Sequence, residues 1–530
     1  MPESFSSNGN GAVQSIPGGA LPVAAQQRET GALRQLSQRI FSFPVMLAFM
    51  LAVLAFISVR SRFDDPDMWW HLKMGEIMWT THSIPVHDIF SYTTNHQATV
   101  PQEWLGEVSI YLAYMLGGYS GLMLWMCILA SAIVIAGYAL CTAYGGNVKV
   151  AFAGAILIWF FSTIGLSIRP QMLGYLLLIA ELFLIHLGRT RNPRWFLCLP
   201  ILFVLWINCH ASFFLGIVVA GIYAASSFVH FEAGSLVAPR WDPGCRRMLA
   251  IGLAISAAAL FLNPDGIHQV VYPVNTLLHQ HIQMASVQEW QSTPISDPRG
   301  IALLLVLLGS FMTVVLRHSE LYFDELLILA AATWLGLSHE RTLFAFGILA
   351  APILCRQIAG LWDNYERDKD PHWLNAAMMA GSLLAMFLAF PSTQNLHAQV
   401  ERYSPVGAVG YIKSHHLAGP MLNDYTYGGY LIWAAPEYPV FVDGRGDPFE
   451  DSGVLLEFGQ WAMLQADPQA LLRKYRINFC LLQADAPTVQ VLKLLPGWQN
   501  VYSDDHSVIF VRRGAAAGAG QTSPSAAGKS

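Results

Sequence analysis

Phe63-Asp64-Asp65-Pro66-Asp67-Met68-Trp69-Trp70-His71-Leu72 follows closely on an apolar run, Ser42 to Val59, and the junction of the two decides the fold. At about 1.5 Å per residue the run is long enough to cross a bilayer core. No small-x-small cleavage pattern precedes the charged stretch from Arg60 to Asp67, so the run reads as an uncleaved first span. Asp64, Asp65 and Asp67 therefore stand within one turn of a membrane exit. Crowded carboxylates repel one another and raise at least one pKa, which suits a general base or a cation site and does nothing for packing. The competing reading is structural, because acids outside spans and interfacial tryptophans are common and a proline ends a helix.

Beyond the acids, Trp69, Trp70, Met74, Ile77 and Met78 share a helix face, with Lys73, Glu76 and Thr80 on the other, as in a helix lying in the membrane interface. A second such helix is expected from Glu103 to Leu116. Further apolar runs centre on residues 121–143, 148–168, 170–187, 195–208, 211–229, 248–262, 301–316, 325–338, 342–358 and 374–391, giving about eleven spans. Composition agrees: 54% of the 530 residues are hydrophobic and 12% charged, about half the charged share of a soluble protein. With 30 basic against 35 acidic residues, no nucleic-acid partner is expected. The seven cysteines include no CxxC or CxxH pair, so neither a zinc module nor a disulfide framework is indicated.

The expected architecture is an all-α polytopic membrane domain with interfacial helices in its first external loop and a small C-terminal α/β soluble domain. Residues 1–41 read as a disordered cytoplasmic tail, 42–391 as the transmembrane domain with the external loop 60–120, 392–513 as the extracytoplasmic domain and 514–530 as a disordered tail. An odd span count places the arginine-bearing loops at 189–194, 240–247 and 356–369 beside the N-terminus, which is then cytoplasmic. The lack of an Asn-x-Ser/Thr sequon favours a bacterial plasma membrane. In the tail, Tyr438–Asp443, Asn478–Leu482 and Ser507–Val511 read as strands and Gln460–Tyr475 as a helix.

The acidic junction resembles the GT-C superfamily, the multispanning glycosyltransferases that take sugars from polyprenyl-linked donors. Asp65-Pro66 followed by aromatic residues is similar to the Asp-Pro-aromatic motif of oligosaccharyltransferase catalytic subunits. Protein O-mannosyltransferases and aminoarabinose transferases place an acid similarly, and the likeness of plan extends over residues 42–391. Two departures stand out. Trp69-Trp70 is followed by His71, not by the Asp of the oligosaccharyltransferase acceptor motif, which argues against transfer to asparagine. Protein O-mannosyltransferases show Asp-Glu where this chain has Asp64-Asp65-Pro66-Asp67.

Other polar residues fall on the same outer face. Arg169-Pro170-Gln171 opens the fourth span, where an arginine either contacts phosphate or snorkels to headgroups. Asn208-Cys209-His210 occupies a hairpin, and His339-Glu340-Arg341 a short turn between spans, at a real cost for charge near the membrane. The loop Asn263–Arg299, containing Glu289 and Trp290, is long enough to close over a substrate. His279-x-His281 lacks a third ligand at a characteristic spacing. Asp443 and Gly444 are accounted for by turn chemistry, and Arg445-Gly446-Asp447 by chance.

The resemblance implies sugar transfer from a polyprenyl phosphate or diphosphate to a glycan, lipid or protein acceptor, by in-line displacement with inversion. Asp65 is the expected base or acceptor-orienting group, Asp67 a positioning group, and Arg341 and then Arg169 the phosphate contacts. Asp64, His71, Gln171, Asn208, His210, His339 and Glu340 complete the candidate substrate site. Carboxylates favour Mg or Mn, but the superfamily includes metal-independent members, so the cofactor stays open. The alternatives are a transporter or flippase of lipid-linked glycans, which predicts mid-membrane charge and repeated halves, and a noncatalytic envelope assembly subunit.

Overall fold

The computed structural model describes residues 34–514 apart from Ser61 and Asn95. All eleven apolar runs are helical. Six helices are long and apolar enough to cross a membrane, or seven if the bent pair Arg34–Ile40 and Phe43–Val59 is one span. Eleven crossings exceed what length and composition support, because helices such as Phe213–Ser226 and Phe323–Ser338 have only 14 and 16 residues against about 20 for an untilted span. The expected tails lie largely outside the described residues. Within the first, however, Arg34–Ile40 is helical rather than disordered, with Leu36 and Ile40 one turn apart on the same face.

The first helix expected at the membrane interface is Met68–Thr81. It buries Met68, Trp69, Leu72, Gly75 and Met78 against protein, with His71 on the same side, so its inner stripe is rotated from the expected one, and Trp70, Met74 and Ile77 are only half-buried. The expected second interfacial helix is the first part of a 42-residue helix, Trp104–Gly145. Its backbone breaks at Gly117 and at Gly118, where φ is +56° and ψ is −138°, a conformation that side chains with a Cβ rarely adopt. The break turns the interfacial part into the span. Gly75 lets the two interfacial helices cross closely, since a Cβ there would overlap the Glu107 carbonyl.

The C-terminal domain carries a four-stranded sheet in the order Met421–Asn423, Phe479–Gln483, Ser507–Arg512, Trp498–Ser503, the first pair parallel and the others antiparallel. Two expected strands are present and two were not legible. Tyr438–Asp443 is not a strand: Val440 makes one bridge to Ser91 of the loop 60–120. The expected helix 460–475 is two helices, Val454–Ala462 and Pro468–Lys474, because Asp467 caps the second by accepting from Gln469 N and Pro468 starts it.

One continuous core runs from Leu51 and Ala55 in the first span through Trp69 to Tyr430, Leu431, Phe479 and Ile509 of the soluble domain. A second core, including Phe441, Trp461 and Phe510, lies inside that domain. Trp69 meets Tyr430 edge-on with ring centroids 5.0 Å apart. Hydrogen bonds join the halves as well: Val440 N donates to Phe90 O at 3.0 Å, and Thr93 Oγ1 donates to Phe441 O at 2.7 Å.

Candidate active site

Pro66 breaks the chain direction after the first span, and Asp67 N donates to Asp65 Oδ1 at 3.0 Å, an Asx turn that leads into the helix at Met68. Both carboxylates then face Arg169, held just ahead of the helix Gln171–Thr190. Arg169 Nε and Nη2 donate to the two oxygens of Asp65 at 2.5 and 2.7 Å. Nη2 also stands 3.0 Å from Asp67 Oδ2, and Nη1 3.5 Å from Glu289 Oε2 in the loop 263–299. One guanidinium thus serves three carboxylates.

Their acidities diverge. Burial alone would raise Asp65, but the charge and hydrogen bonds of Arg169 hold it below the usual carboxylate range. For Asp67 burial wins over Arg169, reinforced by Asp65 and Glu289, and its pKa is pushed up to about 6. A divalent cation held between Asp65 and Asp67 does not fit this arrangement, because Arg169 already takes both oxygens of Asp65 and reaches Asp67.

A second cluster adjoins the first. His71 Nδ1 is 3.2 Å from Glu107 Oε1 and 3.6 Å from Glu103 Oε2, and His210 Nε2 is 3.2 Å from Glu103 Oε1. Ser212 N donates to His210 Nδ1 at 3.0 Å, so the neutral ring carries its proton on Nε2. Burial, then Arg341 and Arg169, lowers His210 to about 3, and burial with Arg169 takes His71 well below its usual value. Burial raises Glu103 to about 7. Neither glutamate was singled out from the sequence, although their i, i+4 spacing on an expected interfacial helix puts both on one face.

The remaining expected residues divide. Arg341 lies over the Trp290 ring, 5.1 Å from its centroid, and makes no hydrogen bond or ion pair among the described residues. His339 Nδ1 is 2.7 Å from Trp290 O, and Glu340 N donates to Gln291 O, so the loop after Glu289 seals this turn. Gln171 only donates to Gly165 O, and Asn208 is spent on Val204 O, Leu262 O and the Trp104 indole. Asp64 is exposed and lines a cavity of about 380 Å³ with Pro66, Arg402, Tyr427, Asp485 and His506.

The soluble domain forms a wall of the site. A Cβ at Gly429 would overlap Pro66 O, and one at Gly444 would overlap Asp67 Oδ1. Turn chemistry is thus not the whole account of Asp443-Gly444-Arg445. Arg445 pairs with both oxygens of Asp443 and, at 2.6 Å, with Asp88 of the loop 60–120. Asp447 accepts from Tyr272 Oη, and Glu450 accepts from Ile282 N and Gln283 N at 2.8 and 2.9 Å, so the loop 263–299 rests on the soluble domain.

No family model and no curated protein matches the sequence. Solved structures do. The oligosaccharyltransferase of Archaeoglobus fulgidus, tethered with an acceptor peptide, superimposes with a TM-score of 0.52 at 12% identity over 84% of this chain and 70% of its own. The chain has the GT-C fold. The same archaeal enzyme, AglB, in complex with an inhibitory peptide and a dolichol-phosphate, gives a TM-score of 0.50 at 11% identity over 82% of this chain and 69% of its own. ArnT of Cupriavidus metallidurans bound to undecaprenyl phosphate gives 0.49 at 13% identity, covering 88% of this chain and 97% of that one. In the GT-C frame the acidic junction, both interfacial helices and the soluble domain form one connected unit in this chain.

Proposed function

We propose that the protein is an inverting membrane glycosyltransferase that moves a sugar from a polyprenyl-phosphate-linked donor to an acceptor on the extracytoplasmic face of a bacterial plasma membrane, with its N-terminus cytoplasmic. The observation that carries this reading is the shared guanidinium of Arg169, which keeps Asp65 ionised while Asp67 stays poised near neutrality. The unequal pair supports a division of labour different from the one the sequence suggests. Asp65 orients Arg169, and Asp67 takes the proton from the acceptor hydroxyl as its oxygen attacks the anomeric carbon. The bond from that carbon to the phosphate oxygen breaks, and the phosphate departs with the electron pair. Arg169 is engaged by three carboxylates, whereas Arg341 has no ion pair among the described residues, so Arg341 is the better contact for the departing phosphate. The cavity beside Asp64 and Pro66 is the acceptor entrance. The dolichol-phosphate held by the GT-C enzyme AglB supports a lipid-linked donor.

The test is release of polyprenyl phosphate from a panel of polyprenyl-linked sugars by the purified protein, comparing wild type, Asp65→Asn and Asp67→Asn, each with and without EDTA. Release that depends on both aspartates is the expected result. Release by neither wild type nor variants across the panel, from folded protein, would falsify the assignment.

A further inference from the structure

His71, Glu103 and Glu107 bring one ligating atom each to within 4.8 Å of one another. They come from both interfacial helices, whose crossing at Gly75 sets their separation. Ligand atoms about 2.1 Å from a common ion in tetrahedral geometry stand about 3.4 Å apart, and the observed separations of His71 Nδ1 from the two carboxylates are 3.2 and 3.6 Å.

Three further features point to an ion. Glu103 and Glu107 are 9% and 4% exposed, and among the described residues no lysine or arginine pairs with either carboxylate, whose ion-pair partners are the two imidazoles alone. Among the described residues, the polar contacts of the Glu103 carboxylate are with the two imidazoles, His71 Nδ1 at 3.6 Å and His210 Nε2 at 3.2 Å. Finally, Ser212 N occupies the lone pair of His210 Nδ1, leaving His210 with an Nε2 proton beside Glu103, the place of an outer partner that orients a ligand.

We infer that His71 Nδ1 and the carboxylates of Glu103 and Glu107 bind a divalent first-row transition ion of the Zn2+ class, with His210 orienting Glu103. An imidazole with two carboxylates suits such an ion better than Mg2+, which takes oxygen ligands. Three protein ligands leave a coordination position open. Bound there, the ion ties the two interfacial helices together beside the Arg169 cluster, and this inference does not depend on what the protein transfers.

The test uses the full chain in detergent, stripped with chelator and reloaded, and reads metal directly: metal content, Zn2+ affinity by competition with a chromogenic chelator, and the visible absorption of bound Co2+. About one Zn2+ per chain is expected, undisturbed by excess Mg2+. Glu107→Gln and His71→Gln should weaken Zn2+ binding by about 100-fold or more, and His210→Gln by about 10- to 100-fold. Because Glu107→Gln replaces a buried carboxyl by a neutral amide of the same shape, its melting temperature without metal should equal or exceed that of stripped wild type. Zn2+ should raise the melting temperature of wild type alone. Wild type that takes up no stoichiometric metal, or Zn2+ binding unchanged in Glu107→Gln, overturns the inference whether or not any sugar is transferred.

Discussion

Arg169 grips both oxygens of Asp65 from 104 residues away and still reaches Asp67 with the same Nη2. The grip is bidentate, so it fixes the plane of the guanidinium as well as its position, and Asp67 is addressed only because that plane is fixed.

Lysine at position 169 would keep the charge and lose the fork. Arg169→Lys should retain the fold and lose about 100-fold in turnover of the lipid-linked donor. Turnover within about tenfold of wild type would detach Arg169 from the chemistry.

The acidity of Asp67 gives a pH signature. With Arg169, Asp65 and Glu289 as its charged neighbours and a pKa of about 6, the ionised base accumulates as pH rises, so kcat/KM should climb through about pH 6 and level off above it. Asp67→Asn should abolish that limb. For stability the sign is opposite: the folded pKa exceeds the ordinary 3.8, the native state holds the extra proton, and this group's contribution declines as pH rises from about 4 to about 6. A rate profile that is flat from pH 5 to 8 would contradict the role of Asp67.

Arg445→Ala should damage the fold itself, because Asp88 and Asp443 have fully buried side chains paired with it. Stranding them costs about 3–5 kcal/mol, readable as a lower melting temperature and faster proteolysis of the external loop. Burial opposes ionisation of Asp88, but Arg445 and the hydroxyls of Ser91 and Thr94 hold its pKa below the usual 3.8. Its stabilising contribution is therefore complete above about pH 4 and lost as pH falls through the lowered value, and in Arg445→Ala the acid loss should be smaller.

Arg341→Ala removes the charge over Trp290, which has no ion pair among the described residues. A charge-assisted contact of about 1.5–3 kcal/mol translates into about a 10- to 100-fold rise in KM for the phosphate-bearing donor. An unchanged KM would direct attention to Arg169 as the phosphate contact.

Gly444→Ala presses a methyl onto the Asp67 carboxylate from the soluble domain. Activity should fall at least about tenfold while the melting temperature changes little, since the clash is with one side chain. Full activity would mean that Asp67 has room to retreat.

The parts legible in the sequence were those with local causes. The apolar run before Phe63, the helix after Asp67 (though not which of its faces is buried) and the end of the next helix near Leu116 each follow from nearby residues, and the eleven helical runs are where hydropathy puts them. Asp65, Asp67, Arg169 and Arg341 were identifiable as charged residues at span ends on one face. Which of them pair was not identifiable, because a contact such as Asp65–Arg169 depends on how the helices pack. Glu103 and Glu107 had a readable spacing that looked like an ordinary polar face until His71 from another helix met it. Tyr438–Asp443 has strand composition, yet Val440 finds its partner in the external loop rather than in the sheet. Glu289 gained meaning only through the docking of its loop on Asp447 and Glu450.

The continuous core that passes from Leu51 through Trp69 to Phe479 and Ile509 has an evolutionary corollary. Residue 392 is where the composition changes, but it is not a seam: separating the halves there would strip apolar cover from both and remove the glycines that face Pro66 and Asp67. The soluble part cannot be exchanged for another like a bead on a string. Change in this domain must instead arise by substitutions within it, constrained at each step by the membrane half against which it folds.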